Sequence, residues 1–277
     1  MKPDIVLIGR SDGESAFRWL LFHIGHTWSG RFPALSQPGP ALNPHPHAGL
    51  VFVFCNPIAI TTIRSPANRL CEMTNHLVAI PDYRVGKDYT YDQMVGDIIV
   101  SYQYLLRDLG CAPEDIAILA DSSGCVSALQ AIRELPSVHL PAPGKIILWS
   151  PQSDENLTDD KIARAKSMGL SCRTNNLFLI GRPIYNVNMK GGKSRQDIYP
   201  LHGDFAHLRS SSVLIQSGGK EIFTEDAYEL YSLFSKTCAC SLEVYEEMFH
   251  NFQTYYSLCD MAKICWEKAA HFITRIA

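Results

Sequence analysis

The chain has 277 residues, 46% of them hydrophobic and 19% charged, the balance of a soluble globular protein with one sizeable core. A formal charge of −3 supplies no electrostatic footprint for nucleic acid or for an anionic membrane as partner. The opening stretch "MKPDIVLIGRSDGE" sets Asp4 and Arg10 around a short apolar run, and the longest mostly apolar stretch, "GLVFVFCNPIAI", is broken by Asn56 and Pro57, so neither a signal peptide nor a membrane span is expected.

Residues 1–45 hold an amphipathic stretch, "SAFRWLLFHI", followed by a Pro/Gly-rich passage. From about residue 50, apolar runs of strand length alternate with longer amphipathic segments. "GLVFVF" (49–54) and "HLVAIPDYR" (76–84) read as strands. The segment 90–110 reads as a helix: Thr90 and Gln93 form a capping-box pair, apolar residues recur at three and four, and Gly110 ends it. A strand at 116–120, a helix from about 123 to 134 and a strand at 145–150 follow. Residues 153–205 run too long for a simple crossover and read as an insertion or lid. Beyond it come a strand at 212–218, a helix near 224–236, a strand at 241–245 and a C-terminal helix from about 254. Strands alternating with helices place the chain in the α/β class, with a mostly parallel central sheet flanked by helices.

Within that frame "AILADSSGCVSAL" (117–129) is the informative stretch. A strand runs into two serines and a glycine, and a helix starts at once. This is the arrangement of a nucleophile elbow, a strained turn that exposes one serine above the sheet while the next backbone N–H points into the site. The five motif positions are Ala120, Asp121, Ser122, Ser123 and Gly124, so alanine replaces the usual first glycine. A serine hydroxyl needs a histidine to take its proton, and the histidine needs a carboxylate to fix its tautomer. His250 follows the strand at 241–245, and Glu221 follows the strand at 212–218. Both therefore fall at carboxyl ends of strands, where open α/β sheets carry their sites. Glu225 and Asp226, on the helix just beyond, are alternative acids.

Nine cysteines, an odd number, fit free buried thiols in a cytoplasmic chain better than a disulfide framework. No cofactor or metal is expected. "CAC" (238–240) has the wrong spacing for a zinc knuckle, and "NPHPH" (43–47) reads as a solvated loop. "MKGGKSR" looks like the end of a phosphate-binding loop, but Val187 stands where its leading glycine belongs and no strand precedes it.

From about residue 49 to the C-terminus the sequence resembles the hormone-sensitive-lipase-like carboxylesterases of the α/β-hydrolase fold. "PDYRVGKDYTYDQMVGDIIVSYQYLLRDLG", "ADSSGC", "WSPQSD", "DIYPLHGDFAHLRSSSVLIQSGGKEIFTEDA" and "VYEEMFHNF" match the family's blocks in order. The resemblance implies Ser122 as nucleophile, His250 as base and Glu221 as acid in a single domain over 1–277, with a small helical lid from about 1–45 and 153–205. It also exposes a departure. Where the family has an HGGG loop giving backbone N–H groups to the oxyanion hole, this chain has Cys55, Asn56, Pro57 and Ile58. Pro57 has no N–H and Ile58 resists the conformations open to glycine. One oxyanion donor, the Ser123 N–H, is kept by position; the Asn56 side-chain amide is the local substitute, with Tyr83 as a further one.

Three functions follow. The first is hydrolysis of a carboxylic ester or related acyl compound. The second is a cyclase, condensation or elimination reaction of specialised metabolism run by the same groups behind a rebuilt oxyanion loop. The third is a non-catalytic small-molecule receptor, as in the plant gibberellin receptors that resemble this family but lack the histidine; His250 counts against it. Phe17, Trp19, Leu20, Leu21 and Phe22 fit either an expected lid over a small apolar substrate or a helix facing the core.

Overall fold

The computed structural model describes residues 4–10, 17–23, 26–27, 49–53, 69–70, 72–74, 76–81, 83–84, 89–153, 161, 163, 167 and 193–275. Among them, strands β1 (Asp4–Arg10), β2 (Phe17–His23), β3 (His26–Thr27), β4 (Gly49–Val53), β5 (Leu77–Pro81), β6 (Ile116–Asp121), β7 (Lys145–Trp149), β8 (Ser212–Gly218) and β9 (Ala239–Tyr245) form one sheet. Their order across it is β3-β2-β1-β5-β4-β6-β7-β8-β9. Every neighbouring pair from β1 to β9 is parallel, and β2 runs antiparallel to both β1 and β3.

The central strands read as unbroken apolar runs because both faces of a parallel sheet are covered. Side chains divide between the faces with period two. Ile116, Ile118 and Ala120 of β6 join one core with Ile146, Leu148, Val213 and Ile215, whereas Ala117 and Leu119 join the other with Ile147, Trp149 and Leu214. Helices α1 (Tyr91–Arg107), α2 (Gly124–Glu134) and α4 (Thr224–Phe234) cover the first face, and α5 (Asp260–Thr274) covers the second. The short α3 (Arg195–Ile198) leads back from the insertion.

Helix α1 starts and stops as its sequence requires. Thr90 Oγ1 accepts the Gln93 N–H at 3.3 Å while Gln93 Oε1 accepts the Thr90 N–H at 3.0 Å, which closes the capping box. Gly110 takes φ 66, and the Cys111 N–H then reaches the Leu105 carbonyl at 2.9 Å. The C-terminal helix begins at Asp260 and not near 254, because Cys259 is extended (φ −131, ψ 117) and only a 3₁₀ turn, Phe252–Tyr255, precedes it.

The N-terminal segment differs most from expectation. "FRWLLFH" is a strand, β2, paired along its whole length with β1 from Asp4↔His23 to Arg10↔Phe17. Its aromatic and bulky apolar residues suit a pleated surface, and β1, itself paired to β5, offers the hydrogen-bonding edge. The remainder of the expected lid lies largely outside the described residues. No helix among the described residues is long and apolar enough to cross a membrane.

Strand β4 lies between β5 and β6, so the chain leaves β4 to one side of the sheet and returns on the other. The crevice beyond the carboxyl ends of β4 and β6 is therefore the topological switch point, the place where such sheets bind ligands.

Candidate active site

Ser122 stands in that crevice, directly after β6, with φ 49. A residue with a Cβ does not take this left-handed conformation without support. Support comes from both sides: the Ser122 N–H donates to the Trp149 carbonyl at 2.9 Å, and the Ser122 carbonyl accepts from Cys125 N at 3.1 Å and Gln152 N at 3.2 Å. The turn is tight because the helix after it is built to sit close. Every residue from Gly124 to Ile132 is buried, and Gly124, Ser127, Ala128 and Ala131 keep α2 slim against β6 and α1. Ser123 precedes the first residue of α2, so its N–H has no acceptor within the helix and the positive end of the helix dipole lies at the site.

Ser122 Oγ lies 2.8 Å from His250 Nε2, and His250 Nδ1 lies 2.7 Å from Glu221 Oε2. All three residues are essentially buried, at 2%, 0% and 0% exposure, so these bonds form in a low-dielectric setting where they are stronger than in water. With a carboxylate on Nδ1, the imidazole proton sits on that nitrogen and leaves Nε2 to accept from the serine hydroxyl.

The loop geometry that brings Glu221 to His250 is set by two glycines. A Cβ on Gly218 would collide with the Met248 carbonyl, and one on Gly219 with Glu246. Without side chains there, the two loops approach backbone to backbone: Gly219 N–H donates to the Tyr245 carbonyl at 2.8 Å and Lys220 N–H to the Met248 carbonyl at 2.9 Å. The second carboxylate oxygen of Glu221 accepts from Gly218 N–H at 3.0 Å and from the Ser217 hydroxyl. Thr224 Oγ1 braces the same loop, 2.8 Å from the carbonyls of both Gly218 and Glu221. Phe223 packs edge-on against the His250 ring with centroids 5.2 Å apart.

The alternative acid Asp226 is engaged elsewhere. Its carboxylate accepts from Ser153 N–H at 2.9 Å and Ser153 Oγ at 3.0 Å, and meets Lys161 Nζ at 2.5 Å, tying α4 to the start of the insertion. Glu225 is half-buried on the first turn of α4. Cys125, close behind the serine, is fully buried, and desolvation pushes its thiol well above the ordinary range, which removes it as a nucleophile. Of the residues the sequence suggested as oxyanion donors, Asn56 lies outside the described residues, and Tyr83 is buried in the core shared with Ala79 and Tyr91.

Sequence reasoning missed Ser217, which sits one residue ahead of the paired glycines in "SGGKE", and the contact of Asn251 with Asp121. The second joins a residue inside the serine motif to the residue directly after His250.

Residues 47–254 match the model of a family described as alpha/beta hydrolase fold. The chain is 26% identical over 233 residues to a protein named "Esterase" from Acinetobacter venetianus strain RAG-1, covering 84% of this chain and 74% of that protein. Its fold is similar to the crystal structure of EstE5 soaked with p-nitrophenyl butyrate, with a TM-score of 0.74, 17% identity and coverage of 97% of this chain and 84% of that one. It is similar also to an esterase of the bacterial hormone-sensitive lipase (HSL) family, with a TM-score of 0.68, 22% identity and coverage of 82% and 76%.

Proposed function

The chain belongs to the alpha/beta hydrolase fold family, and from that premise we propose that it is a serine hydrolase of carboxylic esters or related acyl compounds. One observation carries the reading: the hydrogen-bonded run from Ser122 Oγ through His250 to Glu221, with both links between 2.7 and 2.8 Å. His250 takes the serine proton as Ser122 Oγ attacks the ester carbonyl, and Glu221 stabilises the imidazolium that forms. The tetrahedral oxyanion accepts from the Ser123 N–H and from the Asn56 side-chain amide. His250 gives the proton to the leaving alcohol as the ester C–O bond breaks; water then attacks the acyl-enzyme carbonyl, His250 takes its proton and returns it to Ser122 Oγ, and the carboxylic acid is released. The likeness to a protein named "Esterase" supports the choice of ester over other acyl compounds.

The test is turnover of p-nitrophenyl esters of graded acyl length by the wild type and by Ser122→Ala. Hydrolysis that disappears in the variant supports the reading; equal rates in both would end it.

A second reading has one observation in its favour. "CNPI" at 55–58 replaces a glycine loop with a residue that lacks an N–H, and a rebuilt oxyanion loop suits a cyclase, condensation or elimination reaction by the same groups. Slow turnover across the whole ester series, with Ser122 still reactive to a fluorophosphonate, would favour it.

A further inference from the structure

Resting on the serine-hydrolase reading, we propose that Asn251 is a positioning residue whose side-chain amide, bound to Asp121, fixes His250 over Ser122. Asp121 directly precedes the serine and Asn251 directly follows the histidine. Asn251 Nδ2 donates to Asp121 Oδ2 at 3.3 Å. That bond and the bond from Ser122 Oγ to His250 Nε2 are opposite sides of one closed ring joining the loops after β6 and β9.

The ring is anchored from below. The Asn251 N–H donates to Ser150 Oγ at 3.1 Å, and the hydroxyl of Ser150, directly after β7, donates to Gln253 Oε1 at 3.1 Å. The Ser150 N–H donates to the Gln216 carbonyl of β8 at 2.8 Å. The loops after β6, β7 and β9 are thus tied to one another by bonds that use no atom of the reacting groups.

The choice of residue is informative. Asn251 has φ 57, a conformation that glycine adopts freely and asparagine tolerates. Backbone geometry alone would be served by glycine. What asparagine adds is a neutral donor to the carboxylate of Asp121, which is 1% exposed. Small displacements of a base from its nucleophile are costly to rate.

The experiment measures the second-order rate of inactivation by a fluorophosphonate, kcat and KM on the best p-nitrophenyl ester, and thermal unfolding. Asn251→Gly keeps the backbone conformation and deletes the amide; Asn251→Asp sets a second carboxylate against Asp121; Asp121→Asn/Asn251→Asp exchanges donor and acceptor. We expect inactivation about tenfold slower for Asn251→Gly and up to about a hundredfold slower for Asn251→Asp, with the loss in kcat and not in KM. The exchange variant should return to within about threefold of wild type. A wild-type rate in Asn251→Gly, or an exchange variant no faster than Asn251→Asp, would overturn the proposal. Ser122→Ala separates the two readings. Labelling lost in that variant while Asn251→Gly labels at the wild-type rate defeats only the role of Asn251; labelling that persists in it defeats both.

Discussion

Glu221 Oε2 and His250 Nδ1 lie 2.7 Å apart across 29 residues of chain, and Asp226, one of the two other carboxylates suggested by the sequence, is held by Ser153 and Lys161 instead. The two acids therefore make different contributions. Glu221→Gln keeps the shape and removes the charge that stabilises an imidazolium, so kcat on an ester should fall by about 10³–10⁴-fold with unfolding temperature little changed. Glu225→Gln should leave kcat near wild type. Steady-state kinetics on both variants decides; a silent Glu221→Gln together with an inactive Glu225→Gln would move the acid one turn along.

Gly218 is where the fold and the site meet. Its missing side chain lets β8's loop lie against the Met248 carbonyl, and its N–H holds Glu221. Gly218→Ala should cost about 1–3 kcal/mol of stability, as overpacking does, and should lower kcat as well. The control is Gly96→Ala on α1, where an added Cβ meets nothing within 4 Å: chemical denaturation should find it no less stable than wild type, and its kcat should be unchanged.

Much of this was legible because the relevant physics is local. β6, the tight turn and α2 follow from an apolar run, two serines, one glycine and an amphipathic start; the capping box of α1 follows from Thr90 and Gln93. Glu221 and His250 stood out because each falls in the loop just beyond the carboxyl end of a strand. Strand β2 was missed because "FRWLLFH" is apolar enough to suit either regular structure. Asp12-Gly13 between two apolar runs was the hairpin signal that could have settled it. Asp121 on Asn251 was beyond reach for another reason. That bond depends on how chain from separate strands meets, which no periodicity encodes, and Ser217 on Glu221, only four residues apart, depends on the path of the turn between them.

The loop after β4 carries the sharpest chemical question. If Asn56 supplies the second oxyanion donor, Asn56→Ala should lose about 3–4 kcal/mol of transition-state stabilisation with the fold intact. Rates on an activated ester, compared with thermal unfolding of the same variant, test this. Fast turnover unaffected by the substitution would show that the backbone of "CNPI" makes the hole despite Pro57.

The central claim is that Ser122, held at φ 49 with its hydroxyl 2.8 Å from His250, is the nucleophile. Its most direct test is to treat the native protein with a fluorophosphonate and map the adduct by peptide mass spectrometry. The elbow geometry predicts one adduct, on Ser122, abolished in Ser122→Ala and strongly slowed in His250→Ala. An adduct on Ser123, or labelling that survives Ser122→Ala, would contradict it.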